Sequence, residues 1–402
     1  MYPIRVGIVG VGTPSPSEPA GSGTWGALTH LPALRASPRY KIVAITNSTV
    51  ESAKTSIAFH KLDAEVKAYG SAEEMAKDPE IDLVVISVIV PKHYGVTKPL
   101  LLAKKDVFVE WPLAANTAEN EELADLAKSQ NVKGIVGTQA RANPLVVKIK
   151  ELIDSGTIGT VLSSTATGSF MSLMRPKVPD SIKYYVDKDS GGNNLTIFYG
   201  HFLDSFIHVL GNFKQLHAIS KTSYPTVDII SKDGTILIPN HPKTAPDHIF
   251  VHGTLESDIM ASVNFREVDC GTASGAGIRW TITGTEGEIE ITAPEIMWQI
   301  ATPGATLKVR ARNQYKVGDI TLDPGVESDT SLSALSIKPA EVEDVMFEAS
   351  EEPDYITSLS SAAKGVARTW EAFANGETSK YATFEDARAI HRTLDYIKAE
   401  SL

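Results

Sequence analysis

The stretch IRVGIVGVG, residues 4–12, is a β-branched apolar run that ends in glycines. It reads as a strand buried on both faces, followed by a sharp turn. Further along, similar runs keep returning after helix-period segments. YKIVAITN (40–47) follows a helical stretch at LTHLPALRAS (28–37). IDLVVISVIV (81–90), KDVFVEWP (105–112) and VKGIVGTQ (132–139) complete the series. Continuous apolar strands that alternate with helices indicate a parallel sheet covered on both sides. Residues 1–142 are therefore expected to form a doubly wound, Rossmann-type α/β domain.

After residue 143 the texture changes. PLVVKIKELIDSGTIG (144–159) reads as a helix with a glycine stop. TVLSSTATGSF (160–170), HIFVHGTLES (248–257), IMASVNFRE (259–267) and IRWTITGTEGEIEITA (278–293) alternate with period two. That pattern predicts a large, mostly antiparallel, open sheet with one solvated face. FYGHFLDSFIHVLG (198–211) is a helix candidate between these strands. Residues 316–340 read as a surface loop, and two helices close the chain. The second α/β domain is assigned to 143–402.

Composition narrows the function. The 402 residues are 42% hydrophobic and 22% charged, ordinary for a globular protein of about two domains. A net charge of −11 argues against a nucleic-acid footprint. The apolar runs fall short of the roughly 20 residues that a membrane helix needs. The single cysteine, Cys270, excludes an internal disulfide and fits a reducing compartment. The first residues enter a strand-like run directly, so no signal peptide is expected. The expected location is the cytoplasm, or the nucleus for a regulator. No metal-ligand pattern stands out.

The glycines fall at Gly7, Gly10 and Gly12, where the backbone can turn and approach a pyrophosphate. A third glycine three residues on is missing, and a Pro/Ser/Gly loop runs instead to a helix start near Trp25–Gly26. An NAD site places a carboxylate at the end of the second strand. Here that position is Asn47, beside Ser48, with Lys54 further along. Asn47 can bond a ribose without repelling a 2′-phosphate, so NADP(H) is favoured over NAD(H). An ordinary polar loop is the alternative.

VGIVGVG, ISVIVPKHYGVTKPLLLAKKDVFVEWPLA (86–114), GTQARANPLVVKIKELIDSGTIGTV (137–161), SGGNNLTIFYGHFLDSFIHVLG (190–211) and ITGTEGEIEI (282–291) occur in a recognisable order and spacing. The chain resembles the glucose–fructose oxidoreductase/inositol dehydrogenase family over nearly its whole length. VEW at 109–111, GTWGALTHLPAL at 23–34 and PKTAPDH at 242–248 point to the branch of the fungal galactose-pathway repressor. The resemblance implies a dinucleotide between the two domains and a homo-oligomer, such as a dimer, formed through the C-terminal sheet. Glu110 and Pro112 match the family's Glu-Lys-Pro motif, but Trp111 replaces the lysine. His93, Gln139 and Arg141 match positions lining the site, and Trp25 and Ser48 join the expected cofactor set. Gly191 and Gly192 match a glycine run. His201 matches the catalytic histidine, while Ile197 stands where an aspartate belongs.

Hydride transfer at an alcohol carbon needs a group to take or give the hydroxyl proton. Trp111 cannot serve, because an indole N–H only donates. His201 is the expected proton handler, with Tyr185 and Tyr199 as further hydroxyl candidates and Tyr184 nearby. Each has a packing alternative: Tyr199 can face away from His201 on a helix, and a Tyr-Tyr pair more often packs. Asp204, one turn on, can orient His201, with an exposed i,i+3 pair as the equal alternative. Three functions follow: an NAD(P)-dependent oxidoreductase acting on a hydroxyl, carbonyl or imine of a small molecule; a catalytically silent, dinucleotide-binding regulator with a protein partner; and a non-redox enzyme on the same fold.

Overall fold

The structure, a computed structural model, describes residues 2–14, 23–170, 176–268, 271–311, 321–322, 335–336, 341–347 and 352–400. Cys270 and most of the 316–340 segment lie outside the described residues. Within that segment Thr321–Leu322 and Leu335–Ser336 pair antiparallel.

The apolar runs become β1 (Ile4–Val9), β2 (Tyr40–Thr46), β3 (Lys67–Tyr69), β4 (Leu83–Ile86), β5 (Asp106–Glu110) and β6 (Gly134–Gly137). They lie parallel in the order β3-β2-β1-β4-β5-β6. This is the doubly wound arrangement, and its strand order reverses between β1 and β4. Val6, Ile8, Val84, Val85, Phe108 and Val109 are fully buried because helices cover both faces. Those helices are a wide-turned segment Gly26–His30 running into α1 (Leu31–Ala36), then α2 (Val50–Phe59), α3 (Ala72–Ala76), α4 (His93–Leu102) and α5 (Thr117–Gln130).

The chain leaves this layer through α6 (Pro144–Asp154). It then builds β7 (Val161–Phe170), β8 (Lys177–Pro179), α7 (Gly200–Leu210), β9 (Phe213–Lys221), β10 (Thr226–Ile230), β11 (Ile236–Pro242), β12 (His248–Leu255), β13 (Met260–Glu267), β14 (Ile278–Gly284), β15 (Gly287–Ala293) and β16 (Thr306–Ala311). An eight-stranded sheet runs from Glu343–Asp344 through β16-β15-β14-β7-β13-β12-β9, antiparallel except between β7 and β13. β8, β10 and β11 form a smaller sheet. The alternation seen in the sequence is physical: Val251, Phe265, Trp280 and Ile282 are fully buried, and Phe202 and Phe206 of α7 pack on Trp280. Ile219, Phe250 and Met260 point the other way and are exposed.

The end of the chain returns to the first layer. After α8 (Asp354–Thr357), α9 (Ser361–Asn375) sets Trp370 against Phe108 and Tyr40, and the Tyr40 hydroxyl donates to the Trp370 carbonyl at 2.6 Å. Ala382–Thr383 then adds an antiparallel seventh strand beside β6, and α10 (Phe384–Ala399) follows. A single boundary at 142/143 does not express this return.

Candidate cofactor cleft and active site

A cleft of about 830 Å³ opens at the β1/β4 switch point, where doubly wound sheets bind ligands. Gly10 and Gly12 form its floor, and Val88, Ile89 and Lys92 one wall. Asn47, Ser48, Ser52 and Thr55 line its far end. Glu73 and Lys92 are the charged residues among the described ones that line it.

The glycine turn is built for close approach. Gly10 has φ +92°, and a Cβ there would lie 2.2 Å from the Ser87 carbonyl oxygen. The missing third glycine is supplied from further along. A Cβ on Gly26 would sit 2.5 Å from the Gly10 carbonyl oxygen, so only glycine lets the first helix pack against the strand end. The fingerprint is thus complete in space, although residues 13–22 intervene in the sequence. The amides of Gly10, Val11 and Gly12 donate to Thr46 O, Asn47 Oδ1 and Gly23 O. A dinucleotide's pyrophosphate would therefore meet the start of the helix at Thr24 and the Thr13 and Thr24 side chains, which line the cleft. The cradle and the cleft fit such a group.

Asn47 does not offer its amide to a ribose. Its Oδ1 accepts from Val11 N at 3.0 Å, and its Nδ2 donates to Val11 O at 2.9 Å and Ser56 Oγ at 2.9 Å. The side chain pins the glycine turn to β2, and the hydroxyls facing the cleft beside it belong to Ser48, Ser52 and Thr55.

Below the junction of the domains, Glu110 at the end of β5 gathers three donors. The Trp25 indole donates at 2.8 Å, His30 Nε2 at 2.5 Å and Gln139 Nε2 at 3.2 Å. The Trp370 indole donates to His30 Nδ1 at 3.3 Å, which leaves the His30 proton on Nε2. Burial opposes ionisation of Glu110, yet the bonds from His30 and Trp25 prevail and hold the carboxyl below the ordinary glutamate range. Sequence reasoning missed His30 and Trp370. The available signal was a histidine within the apolar run GALTHLPAL, but its partner Trp370 lies 340 residues away.

The remaining expectations need correction. Trp111, at a cis Trp111–Pro112 bond, does not line the cleft. Its indole donates to Thr196 O at 2.7 Å, and its ring lies on Gly200 and, 5.1 Å away, on His391. His93 is buried with Nδ1 2.7 Å from Pro112 O and Nε2 3.0 Å from Val88 O, and burial depresses its proton affinity. It ties two loops together and presents no free nitrogen to a cofactor. Arg141 makes a buried, two-pronged pair with Asp204 and reaches Asp386 at 3.0 Å. Burial works against its charge, but the two carboxylates hold it cationic. Asp204 is accordingly engaged by Arg141 and does not orient His201. Tyr199 is fully buried, its ring against Phe265 and its hydroxyl towards Val263 O at 3.4 Å, so it faces the sheet and away from the junction. Tyr185 packs between Tyr184, at 4.7 Å between centroids, and Phe198, at 6.3 Å. A Cβ on Gly192 would meet the Tyr184 ring and Val90, so glycine lets this turn pack against both.

His201 remains. Asn193 caps the wide-turned helix Asn194–Tyr199, accepting from Leu195 N and Thr196 N, and α7 continues it and carries His201. The ring is buried, its Nδ1 has no hydrogen-bond partner among the described residues, and desolvation lowers its pKa to about 4 against a small opposing pull from Glu110. Among the described residues no cluster suits a metal ion, and no helix is long and apolar enough to cross a membrane.

A glycine-cradled cleft at a Rossmann switch point, facing an α/β domain with an open sheet, defines a dinucleotide-binding protein of the oxidoreductase type. Residues 4–138 match the model of the oxidoreductase family with an NAD-binding Rossmann fold, and residues 144–293 match that of the Gal80p C-terminal domain. A dehydrogenase of Aspergillus oryzae is 32% identical over 75% of this chain and 80% of its own length. The galactose/lactose metabolism regulatory protein of Kluyveromyces lactis is 30% identical over 72% of this chain and 64% of its own. The solved structure of the Kluyveromyces lactis transcriptional regulator Gal80p superposes with a TM-score of 0.75 at 26% identity, covering 99% of this chain and 89% of that one. The chain belongs to the glucose–fructose oxidoreductase/inositol dehydrogenase family.

Proposed function

We propose that this protein is an NAD(P)-dependent oxidoreductase acting on a hydroxyl, carbonyl or imine group of a small molecule, with His201 handling the proton. One observation carries the reading: His201, buried within electrostatic reach of Glu110, leaves its Nδ1 without a partner among the described residues, while Glu110, His93, Arg141 and Trp111 are each engaged. A bound dinucleotide supplies or accepts the hydride. NADP(H) is favoured over NAD(H), because no carboxylate ends β2 and the hydroxyls of Ser48, Ser52 and Thr55 line the cleft there.

His201 is neutral at pH 7. Its sealed Nδ1 favours the tautomer with the proton on Nε2, since a buried unpaired N–H costs more than a buried lone pair. A neutral Nε2–H donates to a substrate oxygen or nitrogen, which supports reduction of a carbonyl or imine over oxidation of an alcohol. Ile197 and Trp111, apolar at two of the family's polar positions, suit a substrate less polar than a sugar. A screen of aromatic and aliphatic ketones, aldehydes and imines with NADPH and NADH, followed by loss of cofactor absorbance, tests this. Absence of turnover throughout would refute it.

A second reading, a catalytically silent regulator, is favoured by Trp111 and Ile197, which stand at two of the family's polar positions. Turnover-free protein that binds a protein partner only with dinucleotide present would establish it. On either reading a second copy is expected to pack on the open sheet face bearing Ile219, Phe250 and Met260. Sedimentation velocity tests that. The expected location is the cytoplasm, or the nucleus for the regulator.

A further inference from the structure

The outer face of the eight-stranded sheet carries its side chains in rows that cross the strands. In one row His217 of β9 stands directly opposite His252 of β12, with ring centroids 5.9 Å apart and planes inclined by 35°. Both residues are exposed. They line a hollow of about 460 Å³, and among the described residues no other titratable side chain lines it. The rows on either side are partly apolar. Two residues along, Ile219 faces Phe250, and in the other direction Met260 extends the row of Gln215 and Thr254. The far side of the sheet is charged: Arg279 pairs with Glu290, Lys308 stands opposite Glu290, and Arg310 stands opposite Glu288.

Two imidazoles fill half of the tetrahedral shell that a protein-bound zinc ion takes. Among the described residues of one copy, no third His, Cys, Asp or Glu joins them. A second copy on this face supplies the missing pair. Stacked sheets lie ~10 Å apart, so their midplane is roughly 5 Å above each backbone, within the reach of an imidazole. A twofold axis in that plane, running along β9 and β12, sets Ile219 over the partner's Phe250 and brings four imidazoles together. It lays apolar rows on apolar rows and leaves the charged ladder of β14, β15 and β16 outside the contact.

We propose that His217 and His252, with the same pair from a second copy, bind a divalent transition metal ion such as Zn²⁺ at a metal-dependent dimer contact. The inference rests on the sheet-face contact proposed above. Neutral imidazole is the commonest ligand for such ions, and each ring brings one nitrogen to about 2.0–2.1 Å from the metal. Because both side chains are exposed, rotation about their own bonds closes the rings on an ion without moving the strands. Hard ions such as Mg²⁺ take carboxylate oxygens, and the described residues lining the hollow include none. The full ligand set exists only in the dimer, so metal binding and association strengthen each other.

The test uses the full chain without an affinity tag, in sedimentation velocity over a range of concentrations with EDTA, Zn²⁺ or Mg²⁺. Zn²⁺ at about ten times its dissociation constant should lower the dimer dissociation constant about tenfold. Calorimetry should give one Zn²⁺ per two chains, and Mg²⁺ should leave association unchanged. His217→Ala and His252→Ala should each abolish the Zn²⁺ response with the circular dichroism unchanged, whereas His241→Ala, on β11, should keep it. Co²⁺ in place of Zn²⁺ should show the strong visible absorption of tetrahedral coordination. A dimer that forms equally in EDTA and in Zn²⁺ would overturn the metal site and leave the sheet-face contact standing. A monomer under every condition would overturn both. Zn²⁺-driven association that survives in His217→Ala, or one ion bound per chain, would put the metal elsewhere and refute the assignment.

Discussion

The indole N–H of Trp111 donates to the carbonyl of Thr196 across the domain junction at 2.7 Å. The position that holds a proton-handling lysine elsewhere in the family is here a packed tie between β5 and the helix leading to His201. Trp111→Lys should therefore create no catalyst. It should leave a charge where a buried ring stood and destabilise the fold by about 3–5 kcal/mol, the usual cost of losing a large core side chain. Trp111→Phe, which loses one hydrogen bond and part of the packing, should cost less. Urea unfolding of the three proteins checks the order.

His201→Ala should lower kcat by roughly 10²–10⁴-fold, the ordinary share of general acid–base catalysis, and leave dinucleotide affinity nearly unchanged. Because its pKa lies near 4, the wild-type rate should show no histidine titration between pH 5.5 and 8. Steady-state kinetics across that range decides this, and full activity in His201→Ala would move the proton to Tyr185 or to water.

The same buried histidines set an acid limit. His201 and His391 have folded-state pKa values of about 4 and about 3, below the ordinary 6.5. Above pH 6.5 both are neutral in the folded and unfolded chains, so stability is independent of their protons. As pH falls below 6.5 the unfolded chain takes up protons that the folded one refuses, and stability drops until the folded values are reached. Down to those values the loss is about 3 kcal/mol for His201 and about 5 kcal/mol for His391. Denaturant midpoints measured from pH 7.5 to 4.5 should fall for wild type and fall less for His391→Phe.

Asn47→Asp should not shift cofactor preference. A carboxylate there cannot donate to Val11 O or Ser56 Oγ, so the turn loosens and affinity for NADH and NADPH drops together. Ser48→Asp places a carboxylate in the cleft wall itself and should shift the ratio towards NAD(H) by repelling a 2′-phosphate. Parallel fluorescence titrations give both ratios.

Gly26→Ala should weaken both dinucleotides by about tenfold or more. Its Cβ would press on the Gly10 carbonyl and force the helix start away from the turn. Equilibrium binding measures the loss. Unchanged affinity would mean that Gly26 is not the third glycine of the cradle.

The strands were legible because burial on one face or two writes itself as alternation or as a continuous run: LVVI and VFV against ASVNF. The helix carrying His201 was equally readable, and the two-residue offset of Tyr199 already turned it to the other side. What stayed hidden depends on distance along the chain. Ala382 pairs with Val136, and Trp370 meets His30, with no local signal for either. A fixed-spacing glycine pattern also fails when a loop enters it, although Gly10 and Gly26 still touch. The directions of Asn47, His93 and Arg141 are set by partners that appear only once the sheet and α7 are in place.

The return of α9 to the first sheet has a consequence for synthesis. A ribosome releases β1 to β6 early, but Phe108 and Tyr40 receive Trp370 only after more than two hundred further residues have emerged. The half that holds the dinucleotide is the first to be made and the last to be closed. A nascent chain stalled before α9 would show an open apolar flank to chaperones, and an expression fragment cut after β6 would carry that same flank permanently.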